Sequence, residues 1–254
     1  YLKDARDVVE ENHMYIRIAS NDFFAVSKDV VSKMIAGELT AAQAYQAFNA
    51  KLLAEEEPAD NETVLTSGKA YSNVFHANGG SAAFSVMANT LRGVYGTDVL
   101  LATANSFTGS VLQADYNQKM AASMIMPNGL MSRQRTMTGA ELKETVRAFV
   151  EGCEGGFVPF NRGSLPVVSG IAVEVKEANG SYTLAGITRN GQPLGDGDTV
   201  TVTCLATEKQ MEALLASDSG TSAGEDAWVK STWTDYVSGG KAVLAEPENY
   251  MTLR

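Results

Sequence analysis

Two acidic residues in "GDGD", Asp196 and Asp198, are the first that suggest chemistry, since paired carboxylates can hold calcium. A calcium loop of the helix-loop-helix kind needs D-x-D-x-D-G and a closing Glu. Neither follows here, so the stretch is expected to be a turn ahead of a strand. The chain has two histidines, His13 and His76, and neither stands in H-x-x-x-H or H-E-x-x-H. A self-contained histidine metal centre is not expected. "NRGSLPVVSG" supplies serines without a G-x-S-x-G elbow or a nearby histidine, which leaves nucleophilic catalysis without a base. No G-x-x-x-x-G-K-S/T phosphate loop occurs. The remaining polar candidates lie in loops beside apolar runs. Asn105 closes "TDVLLATAN", Asn128 lies in "MPNG", and "PVVSG" precedes an alternating strand. Phe107, Arg133 and Arg135 stand close by in sequence. Loops at strand ends are where α/β folds hold ligands.

The elements that must position these loops follow from periodicity. Residues 1–57 read as a helical segment. "SKDVVSKMIAGELTAAQAYQAFNAKLLAEEE" holds two helices split by Gly37, and Thr40 and Gln43 form a capping box for the second. An acidic break at Glu55 to Pro58 separates this segment from residues 58–254. "SAAFSVMANTLRGVYG" predicts a helix with Phe84, Met87, Ala88 and Leu91 inward. "QADYNQKMAASMIM" predicts a short helix with a strand behind it. In "MTGAELKETVRAFVEG", Thr138 and Glu141 make a capping box. Leu142, Val146, Phe149 and Val150 then form one apolar stripe.

The second half is rich in β-structure. "GIAVEVKE" sets Ile171, Val173 and Val175 against Ala172, Glu174 and Lys176. Asn179-Gly180 and Asn190-Gly191 are hairpin dipeptides. "TVTVTC" puts Val200, Val202 and Cys204 on one face, and "EKQMEALLA" predicts a short helix. Trp228, Trp233 and Tyr236 are expected to pack a last helix on the sheet. The fold class is α/β (α+β), a mixed sheet with packed helices preceded by a helical segment.

Composition narrows the partners. The 254 residues carry a formal charge of -10, which argues against binding a nucleic-acid backbone. Cys153 and Cys204 are too few for a disulfide framework; they could pair once or stay as two buried thiols, and free thiols are the preferred reading. No apolar run reaches the roughly eighteen residues of a membrane span.

The order of the pieces resembles the C-terminal domain of the 5'-nucleotidase family, which includes UDP-sugar hydrolases. The family patterns are N-x-G-x-I-R, a P-F loop, L-x-G-x-x-L-K, Q-x-S-G-x-x-V and P-L-x-x-D-x-x-Y. They are matched in order by "LLATANSFTGSVL", "IMPNGL", "MTGAELKETV", "LPVVSGIAVEV" and "NGQPLGDGDTVTVT", over about Ser81 to Ala216. The shorter "GELTAAQAYQAFNAKL" resembles the closing helices of solute-binding proteins of ABC transporters.

The family resemblance implies a substrate-recognition domain of a secreted bacterial hydrolase, extracellular or at the cell surface. It also implies a nucleotide or nucleoside as ligand. Hydrolysis and its two metal ions would belong to a separate N-terminal metallophosphoesterase domain of the full-length protein. This chain would hold no cofactor and be inactive alone. Carried over by position, Asn105 stands at the family Asn, Ser110 near the family Arg, and Asn128 where the first base-stacking Phe belongs. The second stacking Phe is expected in a G-G-D-G-F loop, which "CLATEKQMEAL" lacks. Asn105, Phe107, Asn128 and Arg133 are the candidate ligand residues, with Phe107, Arg133 and Arg135 able to compensate for the altered clamp. The alternative is a non-catalytic cell-surface interaction module that kept the fold and lost the clamp.

Overall fold

The computed structural model describes residues 32–33, 35–40, 43, 62–74, 80–126, 129–151, 166–178, 181–207, 210–211, 215, 220–240, 242–248 and 250–253. The chain divides into two units, residues 1–62 and 63–254. In the first, Gly37 takes a left-handed φ of 72°, and the amides of Glu38 and Leu39 donate back to the Lys33 carbonyl. This is how a helix stops at glycine. The Thr40–Gln43 capping box is formed, with the Gln43 amide 3.3 Å from Thr40 Oγ1 and the Thr40 amide 2.9 Å from Gln43 Oε1. The rest of the expected helical segment lies outside the described residues, as do His13, His76, Asn128, Cys153 and the Asn179-Gly180 turn.

The second unit is a mixed α/β fold built on three sheets. Its elements begin with β1 (Thr63–Ser67), α1 (Ala82–Tyr95), β2 (Val99–Thr103), β3 (Ala114–Asn117) and α2 (Gln118–Ala122). Then come β4 (Leu130–Thr138), α3 (Gly139–Glu151), β5 (Pro166–Ser169), β6 (Ala172–Ala178), β7 (Ser181–Arg189) and β8 (Gln192–Pro193). The last are β9 (Thr199–Thr207), β10 (Thr221–Ser222), β11 (Ala227–Trp228), α4 (Val229–Ser238) and β12 (Met251–Leu253). The largest sheet runs β10-β4-β9-β2-β5, with β11 also on β4. β2 and β9 are parallel, while β4 and β5 run antiparallel to their neighbours. A second sheet runs β12-β6-β7-β8, and β1 pairs with β3.

Local chemistry explains the elements. α1 opens on Ser81, whose hydroxyl accepts the Phe84 amide, and ends on Gly96 at φ 65°. Phe84, Met87, Ala88 and Leu91 are buried, as their spacing predicts. α3 opens on the expected box, with the Thr138 amide 2.7 Å from Glu141 Oε2 and the Glu141 amide 3.2 Å from Thr138 Oγ1. The "GDGD" stretch is a turn, and it docks this helix. The Gly139 amide donates to the Asp198 carbonyl at 2.7 Å and the Ala140 amide to the Asp196 carbonyl at 3.1 Å. Lys143 Nζ lies 2.6 Å from Asp196. Ile171, Val173 and Val175 face inward on and beside β6, and the β7–β8 hairpin turns on Asn190 (φ 51°) and Gly191 (φ 75°).

Three expectations are corrected. The strand in "QADYNQKMAASMIM" precedes its helix, because Ala114–Asn117 pairs with β1 and Asn117 then caps α2. "PVVS" is itself a strand, fully buried and paired with β2, with Pro166 at its first position where no ladder donor is missed. Trp228 does not pack the last helix. It is 56% exposed, while Trp233, on the inward face of α4, is buried and donates Nε1–H to the Ala121 carbonyl at 2.7 Å.

Candidate functional site

Register brings the candidate loops to one end of the main sheet. Leu101 pairs with Cys204 across β2 and β9, and Leu130 with Thr207 across β4 and β9. The C-terminal ends of β2 and β9 therefore lie beside the start of β4. Asn105 sits there, exposed, in a single 3-10 turn, Ala104–Ser106, directly after β2. The next residues are stitched to the approach of β4. The Met126 amide donates to the Ser106 carbonyl at 3.2 Å, the Thr108 amide to the Met124 carbonyl at 3.0 Å, and Phe107 bridges Ile125. This zipper holds Asn105 beside the segment that leads into Pro127 and Asn128. Gly129 follows at φ 73°, a conformation that favours glycine, and aims the chain into β4.

The other candidate residues are placed differently. Phe107 is 4% exposed, with its ring centroid 5.9 Å from that of Phe84. It is core packing at the base of the loop and presents no open face. Ser110 is exposed and donates to Asn73 Oδ1 at 3.2 Å. Arg133 grips Asp226, with Nε 3.1 Å from both carboxylate oxygens and Nη2 2.6 Å from Oδ2. The Arg133 hydrogen bond holds the Asp226 carboxyl below the usual carboxylate range. The structure thus brings the segment after Asn105 to Met124–Met126, buries Phe107, and commits Arg133 to an ion pair two pleats along β4, while Asn128 lies outside the described residues.

Two groups were missed by the sequence reading, and a third, Arg135, was named there only as a compensating neighbour. Trp228 pairs with Met131 at the second residue of β4, so it stands, exposed, near the start of that strand. Its signal was present as "GEDAW", Gly224 to Trp228, which shares the Gly, the Asp and a closing aromatic with G-G-D-G-F, about ten residues beyond the stretch searched for it. Ser106 is fully buried and its hydroxyl has no hydrogen-bond partner. Arg135 has a buried Nε with no partner. Neither of these two carries a sequence signal, because pairing is a tertiary property.

Among the described residues no group of three His, Cys, Asp or Glu is placed to hold a metal ion. Burial pushes the free Cys204 thiol up to about 12, even with Arg135 and Arg133 pulling the other way, so it stays neutral and is no nucleophile. No helix among the described residues is long and apolar enough to cross a membrane.

No protein-family model and no curated protein matches the sequence. Solved structures do match. The 5'-nucleotidase precursor of Thermus thermophilus superposes with a TM-score of 0.57 at 13% identity, over 83% of this chain and 42% of its own. The NAD nucleotidase of Haemophilus influenzae gives 0.56 at 17% identity, over 89% and 45%. The sulfate thiohydrolase SoxB of Thermus thermophilus gives 0.56 at 15% identity, over 86% and 40%. The chain spans less than half the length of each protein. The chain is therefore similar in fold to part of the 5'-nucleotidase family's structures, as its ordered motifs imply.

Proposed function

We propose that this chain is the substrate-recognition part of a 5'-nucleotidase-like hydrolase, secreted or displayed at a bacterial cell surface, and that a separate metal-bearing domain performs the hydrolysis. The observation that carries this reading is the fold match to nucleotidases over less than half of their length. The sheet-end arrangement supports it. The segment after Asn105 is tied to Met124 and Met126, and Trp228, near the start of β4, offers a stacking ring where the sequence has Asn at 128. In this role the chain binds and orients a nucleotide, and the Asn105 side chain contacts it by hydrogen bonds. A base stacked on an aromatic ring is worth about 1–3 kcal/mol.

Phosphate release from AMP and UDP-glucose tests the reading. The complete protein should release phosphate and this chain alone should not. In the complete protein, Trp228→Ala should raise KM and leave kcat nearly unchanged, since it removes binding made equally in ground and transition states. Unchanged KM would contradict the role given to Trp228. A complete protein inactive on both substrates would overturn the hydrolase assignment.

A second reading, a non-catalytic interaction module, is favoured by the buried Phe107 and the Arg133–Asp226 pair. Both use in folding a side chain that a nucleotide clamp would leave free.

A further inference from the structure

The stretch from Ala242 to Leu253 is docked on the second unit rather than woven into it. Between the buried Ala242 and the buried Tyr250 no residue is buried among those described, and Val243 is 71% exposed. Side chains of α1 hold its extended backbone. Ser85, Asn89 and Arg92 stand four and three residues apart and share one face of that helix. Ser85 Oγ accepts the Glu248 amide and donates to the Glu248 carbonyl, both at 2.8 Å. Asn89 Nδ2 donates to the Glu246 carbonyl at 2.9 Å, and Arg92 reaches the Glu248 carboxylate at 3.4 Å. Thr90 Oγ1 accepts the Ala245 amide at 2.9 Å. The Tyr250 ring then fills the space left by Gly80, where a Cβ would lie 2.0 Å from it. Its hydroxyl accepts the Ser81 amide at 3.2 Å. Finally β12 adds three residues, in parallel, to β6. Main-chain hydrogen bonds, one pocketed aromatic and strand addition are how a domain takes an extended peptide. Here the peptide is the chain's own.

The tether is short and rich in glycine. α4 ends at Ser238, and Gly239 and Gly240 follow, the second at φ 65° with open space where a side chain would stand. Tyr236 on α4 ties down the first residues, its hydroxyl 3.1 Å from the amide and the carbonyl of Val243. The partners on α1 and β6 lie far back in the chain, so only the tether makes them partners within one copy. We propose that residues 242–253 are an exchangeable arm, and that two copies of this chain dimerise by each seating its arm on α1 and β6 of the other. The contacts on α1 and β6 are the same in the closed copy and in the exchanged pair. Exchange therefore sets hinge strain against the entropy of association, and concentration and hinge length decide the outcome. The inference is independent of the nucleotide reading, because none of the candidate ligand residues touches the arm's seat.

Size-exclusion chromatography with light scattering on the full chain tests it. Refolded at about millimolar concentration, near the effective concentration that a short tether provides, the wild type should yield a dimer, and at roughly a hundredth of that a monomer. Deleting Gly239 and Gly240 removes up to about 7 Å of reach and should shift the protein to dimer at the lower concentration as well. In that shortened chain Tyr250→Ala removes the anchor and Gly80→Ala blocks its seat. Each variant alone should be monomeric, and an equimolar mixture should dimerise, because one sound arm then meets one sound groove. A wild type that stays monomeric at every concentration overturns the proposal, as does a shortened chain that is folded and monomeric. A dimer that Tyr250→Ala leaves intact uses another surface and overturns it too. Should the shortened chain not fold, the wild-type refolding series decides alone.

Discussion

The seam where β4 turns into α3 and the face of β4 that carries Arg133 and Arg135 stand a few residues apart and are built on opposite rules. At the seam each polar group described has a partner. Thr138 and Glu141 cap each other, Glu141 Oε1 also accepts the Gly220 amide at 3.1 Å, and the "GDGD" carbonyls accept the first amides of α3. On the arginine-bearing face, Trp228 is exposed and Arg135 has a buried nitrogen without a partner. Satisfied polar groups fix a backbone, and unsatisfied ones are held ready for something else. The difference separates a fully satisfied seam from a partly unsatisfied face within one strand.

The two tryptophans sharpen that contrast most. Trp233→Ala should cost about 4 kcal/mol, since it empties a fully buried site and abandons a hydrogen bond to Ala121. Trp228→Ala should stay within about 0.5 kcal/mol. Equal losses in urea unfolding would show that Trp228 is structural. Next comes the seam itself. A Cβ on Gly139 would lie 1.9 Å from the Gly195 carbonyl oxygen, a backbone atom. Gly139→Ala should therefore cost about 3 kcal/mol by overpacking, and a neutral result would mean that the turn and helix are not locked together.

Capping gives a smaller effect. Thr138→Ala should cost about 1 kcal/mol. Hydrogen bonds from the Thr138 amide, the Thr138 hydroxyl and the Gly220 amide lower the Glu141 pKa. A carboxylate whose pKa is lowered by folding stabilises above its unfolded value and loses that contribution as pH falls through the folded one. The stability gap between wild type and Glu141→Gln should thus narrow on going from about pH 7 to about pH 3. A gap that widens towards acid would contradict the cap. The smallest effect separates the two arginines. Arg133→Gln should lose about 0.5 kcal/mol with its partly exposed ion pair, and Arg135→Gln should lose nothing measurable. The reverse order would mean that Arg135 belongs to the scaffold.

Much of the scaffold was legible before any coordinates. α3 spans the stretch its box and stripe indicate, α1 buries its expected face, and β6 alternates as written. These are local signals, set by periodicity and by capping residues. What failed was non-local. "PVVSG" read as a loop because a short apolar run does not announce its partner, and only the pairing with β2 makes it a strand. Phe107 read as a ligand residue because proximity in sequence to Asn105 says nothing about burial. Arg135 could not be singled out from Arg133, since the difference is one carboxylate, Asp226, about ninety positions away. Trp228 was hidden for a simpler reason, as its motif was sought too early in the chain.

The central claim is that this fold still recognises a nucleotide. Calorimetric titration of the chain with adenosine, AMP, UDP-glucose and uridine tests it most directly. The account predicts saturable binding of AMP or UDP-glucose at about micromolar to low-millimolar dissociation constants. Silence from all four, with the protein folded, would contradict it and leave the interaction module as the function of the chain.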